Sequence, residues 1–167
     1  RGAIARFDRD AIEIRVTDAQ ECPAADCAIA MFVADCLREL CLERWCTVAD
    51  QKTFDEHMLS GLLLDVVTEG GAARIADPAY ASCFGCEHRP GITVADILRS
   101  LYSAMHEKSP FSRIWKEPLR VILEQGTLAE RILRSLSGDF RPESIRSVYA
   151  CLLTCMVQGR QFTGVTS

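Results

Sequence analysis

The stretch Ala11–Pro23 reads A-I-E-I-R-V-T-D-A-Q-E-C-P and alternates apolar with polar side chains from Ile12 to Thr17. An alternation with a period of two residues is typical of a β-strand that buries one face. One face of the predicted strand is therefore apolar and consists of Ile12, Ile14 and Val16. The opposite face is polar and consists of Glu13, Arg15 and Thr17.

Glu13 and Arg15 on the polar face have two interpretations. The simpler one is a surface ion pair, which contributes little to stability. The functional one is a metal–phosphate site, because Mg²⁺ prefers carboxylate oxygens and a guanidinium binds phosphate oxygens through parallel hydrogen bonds. The alternation alone favours the surface ion pair.

The composition of the chain limits its class. Its 167 residues fit one domain, and 49% hydrophobic with 25% charged residues is ordinary for a globular protein. A net charge of −4 argues against nucleic acid as a partner, since phosphate backbones bind basic surfaces. The apolar runs are too short to span a bilayer and no signal-peptide pattern is visible, so we expect a cytoplasmic protein without a membrane partner.

The chain contains nine cysteines, which are residues that can bind metals or carry out redox chemistry. Most recur at helical spacings, which favours free thiols that fill a core. The exception is Cys83-Phe-Gly-Cys86, followed by His88, which brings three zinc-ligand types together. A structural zinc site needs four ligands and no second Cys-x-x-Cys follows, so a cysteine-based metal or redox protein is the less favoured alternative.

The chain past Pro23 is predicted to be helical. The segment from Pro23 to Trp45 is apolar on most of its circumference, which predicts a helix buried nearly all round. The stretch Thr53–Glu56 has the pattern of a capping box and predicts a helix that Gly70 ends. Residues 72–92 contain four Pro or Gly residues and are predicted to be irregular.

Further helices are predicted after Thr93 and around Pro118, which should kink or restart its helix. A second capping box at Thr127–Glu130 starts a short helix, and Pro142 starts the last one. We expect residues 159–167 to form a frayed tail. The last helix is predicted to face the core with Ile145, Val148, Leu152, Cys155 and Met156.

Arginines and glutamates are interleaved along the C-terminal helices: Arg113, Arg120, Arg131 and Arg134 with Glu117, Glu124 and Glu130. Such alternation predicts a solvated ion-pair surface rather than an anion-binding face.

The predicted strands are few compared with the predicted helices, because a single hairpin within residues 1–18 precedes a helical portion at 23–158. The hairpin pairs Ala3–Arg6 with Ile12–Thr17, and an isolated hairpin is only marginally stable in water. We therefore expect one domain over residues 1–167 whose hairpin belongs to a larger antiparallel sheet. The missing strands would lie upstream or in a partner chain, and the open sheet edge could also support a homo-oligomer.

The run I-E-I-R-V-T-D-A-Q at 12–20, followed by Pro23 and a long apolar helix, resembles the glutamate–cysteine ligase superfamily. It is most similar to the bacterial carboxylate–amine ligase branch. Members carry a strand that reads I-E-[VI]-R-x-x-D near the start of their C-terminal portion. The stretches Gly71–Tyr80 and Pro118–Leu133 also resemble this branch, although such helical patterns are less specific.

The resemblance implies a mostly α chain with an N-terminal β-hairpin, as the C-terminal fragment of an α+β half-barrel fold similar to glutamine synthetase. It further implies a ligase that uses ATP and Mg²⁺ to join a small-molecule carboxylate to an amine through an acyl phosphate. By the same resemblance, Glu13 matches a Mg²⁺ ligand and Arg15 matches the arginine that contacts the transferred phosphate. Asp18 matches a further acid, which we interpret as a loop or helix-entry residue.

The sequence departs from the family in one important respect. The other metal-binding carboxylates of the family lie on early strands in an E-x-E pattern, which this chain lacks. One carboxylate and one arginine cannot hold two magnesium ions and a triphosphate, so we expect no ligase activity from this chain alone. The alternative is a non-catalytic helical protein-interaction module with an exposed apolar patch beside the hairpin.

Overall fold

A computed structural model describes residues 2–87 and 89–164. The chain is mostly helical with one antiparallel hairpin, as predicted. The strands are β1 (Ala3–Arg6) and β2 (Ala11–Ile14). The helices are α1 (Pro23–Cys41), α2 (Val48–Gln51), α3 (Glu56–Glu69), α4 (Pro78–Ser82), α5 (Val94–Met105), α6 (Ser112–Gln125), α7 (Leu128–Leu136) and α8 (Pro142–Gln158). Among these helices, none combines the length and the apolar character that crossing a bilayer requires.

The hairpin is shorter than predicted. A 3-10 turn joins its two strands, and the pairing places Ile4 opposite Glu13. The second strand ends at Ile14 instead of Thr17, although the Arg15 N–H still donates to the Gly2 carbonyl at 2.9 Å. In the register of the hairpin, positions beyond Arg15 lie opposite positions outside the described residues.

The main core lies where α1 crosses α5 and α6. Phe32 of α1 and Trp115 of α6 meet edge to face, with ring centroids 5.2 Å apart. The prediction that the first helix is buried nearly all round and extends to Trp45 is wrong. It ends at Cys41, and its buried residues lie along one stripe: Ala25, Ala28, Phe32 and Asp35. Other apolar side chains of this helix, among them Ile29, Val33 and Leu37, line an open groove beside the hairpin.

The segment at 72–92 is largely irregular, as predicted, apart from the short helix α4. It nevertheless contributes to the main core through Ile75, Ala81, Cys86 and Ile92. An isolated bridge between Arg74 and Thr93 holds its two ends together.

The predicted helix caps are partly right. The N-cap of α3 is Asp55, whose carboxylate accepts from the His57 and Met58 N–H groups, so the capping box predicted at Thr53 is wrong. Thr93 caps α5 and Thr127 forms the predicted capping box of α7. Aspartate is as good an N-cap as threonine, and the sequence offered both within three residues.

Pro118 lies inside α6, which continues through it, so the predicted restart of this helix is wrong. Proline removes one backbone hydrogen bond from the helix. The neighbouring residues Trp115 and Leu119 are both buried in the main core, and this packing stabilises the helix on each side of the proline.

A second, smaller core forms between α7, α8 and the C-terminal segment. Its buried members are Leu136, Val148, Cys155 and Phe162. The prediction of a tail that frays from residue 159 is wrong for the part described, because Phe162 has no exposed surface. The predicted core residues Ile145 and Met156 are instead 36% and 52% exposed, since they lie on the outer face of α8.

The predicted ion-pair surface is confirmed in part. Arg120 contacts Glu117 and Glu124 on the exposed face of α6, at 3.0 and 2.8 Å. Arg131 does not belong to this surface, because it is 1% exposed and its guanidinium contacts Glu21. The helical spacing alone could not distinguish these two arginines.

Candidate functional site

Three charged side chains meet on the polar face of the hairpin. Arg15 donates through Nε to Oε1 of Glu13 at 2.8 Å, and Arg6 donates through Nη1 to Oε2 at 2.9 Å. Glu13 therefore has one guanidinium on each carboxylate oxygen. Alternate strand residues share a face, which brings Glu13 and Arg15 together, and strand pairing adds Arg6 from β1.

This arrangement is open to solvent, with side-chain exposures of 37% for Glu13, 32% for Arg6 and 52% for Arg15. The Arg15 guanidinium lowers the pKa of Glu13, and Arg6 lowers it further. The pKa of Arg6 is raised, first by Asp8 and then by Glu13. Glu13 is therefore ionised and Arg6 is charged at neutral pH.

Asp18 lies apart from this cluster. It lines the groove between β2 and α1, which we call the hairpin–α1 groove, with a volume of about 420 Å³. Most of the other lining residues are apolar, among them Ile12, Ile14, Ile29, Val33 and Leu37. The groove uses the apolar face of the strand, whereas Glu13 and Arg15 lie on the opposite face. The structure thus does not bring Asp18 to the cluster.

The charged face does not by itself fit a magnesium site. Its two carboxylates, Asp8 and Glu13, are each paired with Arg6. Among the described residues, no group of three or more His, Cys, Asp or Glu side chains is placed to hold a metal ion. Two paired carboxylates leave most of an octahedral shell without protein ligands. A guanidinium with free terminal nitrogens, such as that of Arg15, does suit an anion with several oxygens.

The cysteines do not form the alternative metal or redox site within the described residues. Cys83 and Cys86 are both buried, and burial raises the pKa of Cys83 to about 12, which disfavours the reactive thiolate. His88, the third member of that hypothesis, lies outside the described residues. All nine cysteines are free thiols, and Cys27 and Cys41 are exposed rather than buried in a core.

Three buried charged residues, Glu21, Asp35 and Arg131, were not predicted to be functional or structural centres. Arg131 contacts Glu21 in the interior, and Asp35 accepts from Trp115 Nε1 at 2.7 Å and from the Ser109 hydroxyl. The sequence carried a signal for Asp35, whereas it carried none for Glu21 or Arg131. Asp35 lies three residues after Phe32 on the buried stripe of α1, and a charge at a core position indicates a buried partner.

The fold and this charged face define a mostly helical protein that presents a carboxylate between two guanidiniums on an open hairpin. Residues 3–150 match the family model of Glutamate-cysteine ligase family 2, and the chain belongs to this family. No curated protein and no solved structure matches the chain significantly. Membership indicates a ligase-like function, in agreement with the resemblance carried by the I-E-I-R strand.

Proposed function

We propose that this chain is the C-terminal part of an ATP-dependent carboxylate–amine ligase related to glutamate–cysteine ligase. In this reaction a substrate carboxylate oxygen attacks the γ-phosphorus of ATP, and ADP leaves. The amine then attacks the acyl carbon, the C–O bond to phosphate breaks, and inorganic phosphate carries away that oxygen. The family match and the charged hairpin face support this proposal.

Arg15 is the residue that we assign to the transferred phosphoryl group. Its Nε is engaged with Glu13, and among the described residues no acceptor engages its two terminal nitrogens. These nitrogens can donate to phosphate oxygens, whose negative charge is spread over the group during transfer. Glu13 fixes the orientation of the guanidinium, and this contact is the observation that carries the proposal.

The rest of the site must come from outside this stretch. Glu13 is the one carboxylate that we assign as a Mg²⁺ ligand. We propose that an N-terminal sheet or a partner chain adds the remaining ligands, and that this chain alone is inactive. The hairpin–α1 groove supports this view, because the apolar side chains of Ile12, Val16 and Leu37 at and beside it are 61%, 56% and 40% exposed. We also propose a cytoplasmic location.

A helical protein-interaction module is the second candidate. Two observations favour it. The exposed apolar groove beside the hairpin is the patch that this alternative predicts. In addition, the outer face of α8 exposes Tyr149, Leu153 and Val157 at 54%, 60% and 81%. These residues recur every four positions and form one stripe. In this case Glu13 and Arg15 would be a surface ion pair, and their replacement would change nothing measurable.

Isotope transfer distinguishes the two candidates. The full natural chain, together with any partner chain that it assembles with, is incubated with ATP, an amine and a panel of carboxylates labelled with ¹⁸O. A ligase of the proposed kind releases phosphate that carries one ¹⁸O atom from the carboxylate, and only when the acid is present. ATP turnover without transfer of the label, or no turnover with any acid and amine, would contradict the proposed mechanism.

A further inference from the structure

We infer that helix α8 is an interaction surface whose partner is a second copy of this chain, bound antiparallel across the outer face of the helix. This face exposes five apolar side chains, which we call the α8 stripe: Ile145, Tyr149, Leu153, Met156 and Val157. Their exposed fractions run from 36% to 81%. Three of the five lie past residue 150, where the family match ends, and the inference does not rest on the proposed function.

The α8 stripe faces away from the smaller core. On the inner side of the same helix, Val148 and Cys155 are 3% and 0% exposed. Residues spaced by three or four positions form one row on a helix, so the stripe is continuous. From Ile145 to Val157 this row is about 18 Å long. A continuous row of large, exposed apolar side chains is typical of an interaction surface.

The α8 stripe is complementary to itself in an antiparallel pair. Ile145 and Val157 lie six positions on either side of Cys151 in the sequence, and Tyr149 and Leu153 lie two positions on either side. When two copies of α8 cross antiparallel at the level of Cys151, Tyr149 of each copy meets Leu153 of the other. In the same way, Ile145 meets Val157. A two-fold symmetric interface requires this reciprocity, which an unrelated partner would not impose on the sequence.

The charges at the two ends of α8 favour the same arrangement. Glu143 lies in the first turn of the helix, and Arg160 follows its last residue by two positions. Among the described residues Glu143 has no ion-pair partner, and the Arg160 guanidinium donates only through Nε, to Gln158 at 2.6 Å. An antiparallel pair brings Glu143 of one copy to the same end as Arg160 of the other. A parallel pair would instead place like charges together.

The expected dimer is weak, because a single pair of helices is a small interface. Interfaces that bury less than about 1,200 Å² belong to weak or transient complexes. We therefore expect a dissociation constant on the order of 10 µM. Sedimentation equilibrium of the full natural chain, at concentrations between about 1 and 200 µM, measures it.

Replacement of Leu153 by glutamate should weaken the dimer about a hundredfold or more, because the charge would be desolvated against Tyr149 of the other copy. Leu64→Glu is the matched control. It makes the same substitution on α3 at a leucine that is 63% exposed, against 60% for Leu153. We expect it to leave the dissociation constant within about twofold. Circular dichroism checks the fold of each variant, and Val157→Glu, at an 81% exposed position, replaces Leu153→Glu if that variant does not fold.

A charge exchange tests the orientation of the two helices. Glu143→Arg and Arg160→Glu should each weaken the dimer about tenfold, because each places like charges at both ends of the pair. The double variant restores opposite charges and should recover most of the affinity.

Three outcomes would overturn the inference. The first is a chain that stays monomeric over the whole concentration range. The second is a dimer that Leu153→Glu weakens no more than Leu64→Glu does, since its contact would then lie elsewhere, such as the open edge of the hairpin. The third is a double charge variant that is as weak as the single ones, which would contradict the antiparallel arrangement.

Discussion

The Arg131 guanidinium donates to the Glu21 carboxylate at 2.7 Å, and neither side chain has any exposed surface. The Phe162 backbone completes the network, since its N–H donates to Glu21 at 2.9 Å and its carbonyl accepts from Arg131. One buried ion pair thus connects three separate segments, namely the residues just before α1, helix α7 and the C-terminal segment. Glu21 lies six residues after Arg15, so this network also anchors the chain that leaves the charged hairpin.

Replacement of Arg131 by methionine should lower the free energy of unfolding by about 3–5 kcal/mol, because Glu21 is left as an unpaired buried charge. The double variant Glu21→Gln/Arg131→Met should lose less, since no charge remains buried. The free energy of unfolding of both variants is measured by urea denaturation. Arg120→Met is the matched control, because Arg120 makes only exposed ion pairs on α6 and should have little effect. Similar stabilities for Arg131→Met and Arg120→Met would contradict the buried network.

Replacement of Trp115 by phenylalanine should destabilise the main core. Trp115 Nε1 donates to Oδ2 of Asp35 at 2.7 Å, and this carboxylate is buried. Loss of the donor leaves a buried charge less well hydrogen-bonded, which costs about 1–3 kcal/mol. Trp45→Phe makes the same chemical change at a half-buried position and should cost less. Thermal unfolding compares the two, and a larger loss for Trp45→Phe would argue against the role assigned to Asp35.

The cysteines should differ widely in reactivity. Cys27 and Cys41 are exposed and should be alkylated first, whereas Cys83 is buried and has a pKa raised to about 12. A short pulse of iodoacetamide at pH 8 followed by peptide mass spectrometry measures the order. Early modification of Cys83 or Cys86 would instead support the redox alternative.

The ion pairs of Glu13 should make a small contribution to stability that depends on pH. Because the folded-state pKa of Glu13 is lowered, this contribution is present above the ordinary glutamate pKa and is lost as the pH falls through the folded-state value. The carboxyl ¹³C shift of Glu13 follows this titration directly. Arg15→Gln should raise the pKa more than Arg6→Gln, since Arg15 is the larger cause of the shift. An unperturbed pKa in the unaltered protein would mean that the ion pairs do not persist in solution.

The sequence patterns correctly predicted the strands and helix ends that depend on interactions between residues close together in the chain. The alternation from Ile12 identified a strand, Pro23 and Pro142 marked helix starts, and Gly70 and Gly159 marked helix ends. These features depend on backbone geometry and on contacts within a few residues. The same patterns could not place Phe162, because its side chain packs in the core between α7 and α8 and its N–H bonds to Glu21, 141 residues away in the chain.

The candidate site, like the fold, could be predicted from the sequence only in part. The spacing of Glu13 and Arg15 by two residues was sufficient to place them on one face. Arg6 was not found, because its approach to Glu13 depends on the register of the hairpin rather than on sequence spacing. Asp18 lies in the loop after β2, in agreement with its interpretation as a loop or helix-entry residue, and it lines the apolar groove instead of the charged face.

The most direct test of the central claim replaces Glu13 by glutamine in the full natural chain and measures ATP turnover that depends on a carboxylate and an amine. We predict that this turnover falls about a hundredfold or more, with the fold retained, because the group that positions Arg15 is lost. Asp10→Asn removes a carboxylate from the exposed end of the same hairpin and should leave turnover unchanged. Turnover near the normal rate in Glu13→Gln would contradict the assignment of the charged hairpin face as part of a ligase site.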